Sequence, residues 1–214
     1  FYPAACLKDG TTLDFNFGDD PNSPLKHAPH QDEWTPVGLA AAPAHCAANP
    51  LDWRLNPHDL TDAVETSPDG HVAQARTGHG WQGARANQGV KSRGRYYFEG
   101  AALEAGGLSR VGWATERGDL DLGADREGFG YGADAEGFGL NQDQGKKLHA
   151  GDIDNYGAAY GEGDIVGCYV DIDAGTVHWS RNGAPLGDGF GIPSGLRNEA
   201  FFPTLSLKDA TMTL

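Results

Sequence analysis

Gly128-Phe129-Gly130-Tyr131-Gly132 has the glycine spacing of a loop able to wrap a phosphate. Such a loop works between a strand and a helix N-terminus, where backbone N–H groups converge on the anion. Here Ala133-Asp134-Ala135-Glu136 follows and puts acid at the phosphate position, so a structural turn or strand edge is expected instead. Asp171-x-Asp173-x-Gly175 begins like a calcium loop, but its twelfth position is Asn182 and not the closing Glu that such a loop needs. The acids between Gly118 and Asp125 have no ligand spacing behind them, and His27, His30 and His45-Cys46 lack a paired Cys-x-x-Cys or a zincin Glu. No metal and no cofactor is expected.

Nucleophilic chemistry fares no better. The sequence contains no Gly-x-Ser-x-Gly elbow, and Cys168 sits inside an apolar run where a thiol is buried and inert. Cys6, Cys46 and Cys168 are odd in number and too widely spaced for a disulfide framework. With no permitted Asn-x-Ser/Thr acceptor, they point to a reducing, cytoplasmic compartment. The expectation is a protein without enzymatic activity.

The formal net charge of −14 repels phosphate backbones and anionic lipid, which disfavours nucleic acid and membrane surfaces as partners. Lys91, Arg93, Arg95, Lys146 and Lys147 could form a local basic patch, though solvated loop charges explain them as well. No apolar run is long enough to span a bilayer. Opening at Phe1 with neither a basic nor an apolar leader, the chain reads as a piece of a longer protein.

The elements that would carry any site are short strands. Gly, Asn and Asp clusters alternate with apolar runs rich in β-branched and aromatic residues at 95–99, 109–114, 165–172 and 176–180. Asn182-Gly183 predicts a type I′ hairpin turn, since both central residues need positive φ. Asp173-Ala174-Gly175 predicts the turn before it. Trp53, Trp113, Tyr97, Phe98 and Trp179 are expected in the core. Residues 19–50 contain prolines, histidines and a small-residue run without periodicity, the signature of a linker. The class is all-β.

One repeat stands out. Phe1-Tyr2-Pro3 and Leu7-Lys8-Asp9 recur as Phe201-Phe202-Pro203 and Leu207-Lys208-Asp209, and Thr11 recurs as Thr211, all at a spacing of 200 residues. The expected organisation is therefore 1–18 as the closing strand of a preceding repeat, 19–43 as a Pro/Ala-rich linker, and 44–214 as the domain itself. The tail segment would then pair with an upstream domain, with a neighbouring molecule, or with the sheet of this same domain.

Several motifs, in order along the chain, resemble the SPRY domain family. They include Trp53-Arg54-Leu55-Asn56-Pro57, Gly80-Trp81-Gln82-Gly83, Arg95-Tyr96-Tyr97-Phe98-Glu99, Val111-Gly112-Trp113-Ala114, Gly128-Phe129-Gly130-Tyr131, Asp154-Asn155-Tyr156-Gly157 and Ser180-Arg181-Asn182-Gly183. Gly145-Lys146-Lys147 is similar to the SPRY insert of DEAD-box RNA helicases, although the chain has no GxxxxGK[ST] loop and no Asp-Glu-Ala-Asp box. The resemblance implies two antiparallel sheets in a SPRY-type β-sandwich and a protein-interaction function, probing a partner with loops at one end. Carried onto this sequence, the partner surface comprises the loop 116–122 with Glu116, Asp119, Leu120 and Asp121, the segment 46–52 with Leu51, and the loop 207–210 with Lys208 and Asp209. Its acids suit a basic protein or peptide. A neighbouring repeat or subunit is the other expected partner, through strand addition. Tandem SPRY architecture, a helicase insert and a strand-swapping assembly module are the three organisations that follow.

Overall fold

The computed structural model describes residues 13–16, 25, 34–36, 53–76, 78–102, 108–132, 144–208 and 211–213. Regular structure among them is almost wholly antiparallel β, with one turn of 3₁₀ helix at Ser194–Leu196. The strands are β1 (Leu13–Asn16), β2 (Thr35–Pro36), β3 (Leu55–Leu60), β4 (Val64–Thr66), β5 (Val72–Ala75), β6 (Trp81–Ala86), β7 (Arg95–Ala102), β8 (Leu108–Thr115) and β9 (Gly128–Gly132). They continue as β10 (Gln144–His149), β11 (Asp152–Ala158), β12 (Ile165–Asp171), β13 (Thr176–Arg181), β14 (Ala184–Pro185), β15 (Phe190–Gly191), β16 (Phe201–Lys208) and β17 (Thr211–Thr213).

Sheet A runs β1-β7-β12-β13-β14, with β2 also on β7 and β15 on β13. Sheet B runs β11-β10-β9-β8-β16-β6-β3, and a small third sheet joins β17, β5 and β4. The predicted all-β sandwich of antiparallel sheets is the fold observed. All four strands anticipated from composition are present, as β7, β8, β12 and β13. Asn182 and Gly183 have φ of 49° and 78°, the left-handed pair that the β13–β14 turn requires. The side chain of Asn182 also ties the turn down, accepting from Ile165 N at 2.8 Å and donating to Asp164 at 2.7 Å.

Between the sheets lies one apolar cluster that contains Trp53, Phe98, Val111, Trp113, Phe129, Tyr131, Val170, Trp179 and Leu205, each nearly or fully buried. The sheets are also cross-linked by a polar contact. Trp179 of β13 donates its indole N–H to the carbonyl of Val111 on β8 at 3.1 Å, which satisfies a buried donor that would otherwise cost free energy. Gly128–Gly132, expected as a turn or strand edge, is an interior strand between β8 and β10.

Tyr97 is buried but lies outside that cluster. It stacks on Tyr169 at 5.7 Å, and Tyr169 stacks on His178 at 4.9 Å, a row across β7, β12 and β13 on the outer face of sheet A. Trp34 stands edge-on against both Tyr169 and His178, at 5.1 and 5.5 Å. The segments expected to form a tail and a linker thus meet this same domain: β1 pairs antiparallel and β2 parallel with β7.

Candidate functional site

The loop after β8 is where most of the sequence-derived site residues fall, and it does not project into solvent. It folds back across the outer face of sheet B. Strand alternation places Gly83, Arg85, Arg110, Thr204 and Ser206 on that face. An ideal Cβ on Gly83 would come within 2.1 Å of the carbonyl oxygen of Leu120, so only glycine lets the loop lie this close.

Two arginines hold the loop there. Arg85 pairs with Asp59 at 2.8 Å and donates to the carbonyls of Thr115 and, at 2.8 Å, of Gly118. Arg110 pairs with Asp121, donates to the Leu122 carbonyl at 3.3 Å, and covers the Trp81 ring at 3.7 Å. Both arginine side chains are more than nine-tenths buried. Ser206 accepts from Leu122 N. Within the loop, Asp119 accepts from Asp121 N at 2.9 Å while Asp125 accepts from Asp119 N at 2.8 Å. The loop is therefore fixed before any partner arrives.

These contacts sort the predicted residues. Leu120, Asp121 and Lys208 come together with Trp81: Leu120 packs over Gly83, Asp121 meets Arg110, and Lys208 is the register partner of Trp81. Asp119 is exposed beside them. Glu116 is exposed too, but at the opposite end of sheet B. It follows Thr115, which pairs with Phe201, whereas Lys208 pairs with Leu108, seven positions along β16. At ~3.3 Å per residue that is roughly 23 Å. Leu51 and Asp209 lie outside the described residues, as do Cys6, Cys46, His27, His30 and His45. Trp81, Arg85 and Arg110 were not singled out from sequence. The alternation in Trp81-x-Gly83-x-Arg85 was the available signal, because it puts an aromatic, a glycine and a cation on one face.

Other titrating groups are occupied structurally. Asp171 binds Arg95 at 2.8 Å and caps the following turn through Ala174 N at 2.7 Å. Burial pushes the Cys168 thiol well above its ordinary value, which leaves it unreactive. Burial likewise raises Tyr156, to about 12, so its hydroxyl remains a donor to the Gly187 carbonyl at 2.7 Å. Among the described residues no group of three or more His, Cys, Asp or Glu is placed to share a metal. No helix among them is long and apolar enough to cross a membrane. A hollow of about 350 Å³ opens on sheet A between Trp34, Tyr169, His178 and Pro185.

The fold is thus an antiparallel β-sandwich with a clamped loop across the outer face of one sheet. The chain belongs to the SPRY domain family, whose pattern it matches over residues 95–214. It is 41% identical over 160 residues to the ATP-dependent RNA helicase DDX1 of Xenopus laevis, covering 75% of this chain and 20% of that protein. It is 38% identical over 160 residues to the Drosophila melanogaster helicase Ddx1, with the same coverage of both chains. The chain thus spans about a fifth of the length of these relatives. The crystal structure of the SPRY domain of human HERC1 superposes with a TM-score of 0.56 at 16% identity, covering 73% of this chain and 91% of that one. That likeness shows the fold. SPRY domains are interaction modules without enzymatic activity and generally bind protein partners.

Proposed function

We propose that the chain is a peptide-recognition module whose partner surface is the end of sheet B formed by Trp81, Leu120, Asp119, Asp121 and Lys208. The observation that carries this reading is the half-buried Trp81, braced by Arg110 and flanked by a loop that buried groups hold in place. A rigid aromatic gives large contact area at small entropy cost, the usual anchor of a binding surface. Acids at its rim suit a basic or polar peptide, and the net charge of −14 favours the encounter. Asp209 is assigned to the same surface because it adjoins Lys208 in the sequence; Leu51 is not, since Arg54, three residues on, bonds to Asn87 at the end of β6 away from Trp81. Glu116, at the far end, contributes at most to long-range attraction. A cytoplasmic setting fits the cysteine pattern.

The parent is a tandem SPRY protein in this reading, with 1–18 as the tail of a preceding repeat, 19–43 as linker and 44–214 as the module. The support is the repeat at a spacing of 200 residues. A second reading, a SPRY insert within a DEAD-box helicase, is favoured by the identity to the DDX1 relatives. RNA and ATP chemistry would then lie elsewhere in the parent. The coding sequence upstream of Phe1 separates them: another SPRY body supports the array, a phosphate loop the helicase.

Peptide display selected on the full chain, followed by fluorescence-polarisation titration, tests the surface. Trp81→Ala should weaken the selected peptides at least tenfold. Asp119→Ser keeps a turn acceptor but removes the charge, and should weaken basic peptides several-fold with unchanged near-ultraviolet circular dichroism. Equal binding by both variants would place the partner surface elsewhere.

A further inference from the structure

β7 is eight residues long and hydrogen-bonded to β12 on one side. Its other side would be an open ladder of a length that invites pairing with a foreign strand. β1 closes the half from Glu99 to Ala102, and β2 meets Tyr96 and Tyr97. That edge is therefore completed by strands from far upstream, not by its sequence neighbours.

The repeat gives this arrangement a meaning. At its spacing Thr11 corresponds to Thr211 and Leu13 to Thr213. The strand that follows the first copy and the strand that follows the second meet at one corner of the molecule: β17 pairs with β5, and β1 runs beside β17 with Cα atoms within 8 Å while pairing with β7. Two strands from adjoining positions of the repeat, β17 at the place of 11–13 and β1 at 13–16, thus lie side by side, each completing a different sheet. Strand exchange leaves such a corner, the module's own tail holding one half and an equivalent tail holding the other.

We infer that the outer edge of β7 is an acceptor site for a strand of the 13–16 type, and that its donor is another copy of this module. The origin of the donor rests on the tandem reading; the acceptor site does not. Main-chain hydrogen bonds along the added strand supply the affinity. Chain length also limits the geometry. Residues 1–8 correspond to β16, so only five Cα–Cα steps separate the end of a donor's central strand from Leu13. Those steps reach at most about 18 Å. Successive modules joined this way pack side by side and do not swing on a flexible tether. The contact is head-to-tail and produces open arrays unless the rotation between copies closes a ring.

The test uses the full chain with Phe15→Pro, which holds φ at about −65°, away from extended strand geometry, and is meant to unseat the resident strand. A labelled peptide of residues 11–18 should bind this variant at least tenfold more tightly than the wild-type chain. Absence of binding, or equal binding to both, overturns the acceptor site. Should Phe15→Pro not fold, two full chains carrying Cys6→Ser and Cys46→Ser serve instead, one with Asp14→Cys and the other with Ala101→Cys. These positions face each other in register, at a spacing a disulfide can bridge. Interchain disulfides that increase with protein concentration are expected; chains that stay unlinked at every concentration overturn the inference. A phosphate loop upstream of Phe1 would remove the tandem reading while leaving either positive result intact.

Discussion

Sheet A and sheet B each need a cover on the outside, and they obtain it from opposite sources. On sheet B the cover is the loop that leaves β8, held by Arg85, Arg110 and Ser206 through charge-assisted and backbone hydrogen bonds. On sheet A it comes from far upstream: the ring of Trp34 lies on Tyr169 and His178, and two upstream strands close the edge at β7. The first is local, polar and dependent on a missing side chain at Gly83. The second is remote, aromatic and dependent on strand addition. A clamped local loop suits a preformed binding surface, while a strap from elsewhere in the chain suits exchange with another copy.

The largest effect that would break this contrast is at Arg85. Arg85→Ala strands the carboxylate of Asp59 and uncouples the Thr115 and Gly118 carbonyls, and should cost about 3 kcal/mol or more in urea unfolding. Peptide binding at Trp81 should weaken with it, because the loop loses its clamp. Adding Asp59→Ala should recover part of the stability. No recovery would mean that the loop carbonyls matter more than the ion pair.

Trp34→Ala should cost about 1–2 kcal/mol, from two edge-on aromatic contacts and the area they cover. Peptide affinity at Trp81 should not change. A parallel fall in affinity would show that the two covers are energetically one.

The smallest effect is a pH dependence confined to sheet A. Burial holds the His178 imidazole below its ordinary value, with Asp171 and Asp188 pulling the other way. The proton therefore favours the unfolded chain, whose imidazole titrates near ~6.5. This stability is fully present above about pH 6.5 and is lost as pH falls toward the folded value. Asp164 is also held below its ordinary value: burial raises it, and bonds from Gly161 N, Asn182 and Arg181 outweigh that. It acts only below about pH 4, outside this window. The urea midpoint should fall between pH 7.5 and 5.5, and His178→Gln should flatten that slope. Equal slopes in both proteins would sink the assignment.

The strands of the sandwich were readable because β-branched and aromatic runs such as Ile165–Asp171 carry their own signal, and Asn182-Gly183 specifies its turn chemically. The clamped loop was not readable. Its position depends on Gly83, Arg85, Arg110 and Ser206, which only strand register brings onto one face. Asp121 looked like a free acid because its partner Arg110 precedes it by a whole strand end and a turn. Trp34 reads as part of a linker because nothing periodic surrounds it, and its partners Tyr169 and His178 are more than a hundred residues away. Tyr97 was expected in the core from its strand, yet alternation gives one side of each strand to the outside, where the aromatic row buries it.

The five tryptophans divide by these same surfaces. Trp53, Trp113 and Trp179 are sealed in the interior, while Trp34 and Trp81 are only partly covered, one on each sheet. Their emission should separate into a blue component that acrylamide barely reaches and a redder one that it quenches. Removing Trp34 or Trp81 singly leaves one accessible emitter on one face. The protein thus carries its own optical labels, able to report which cover has lifted without any attached dye.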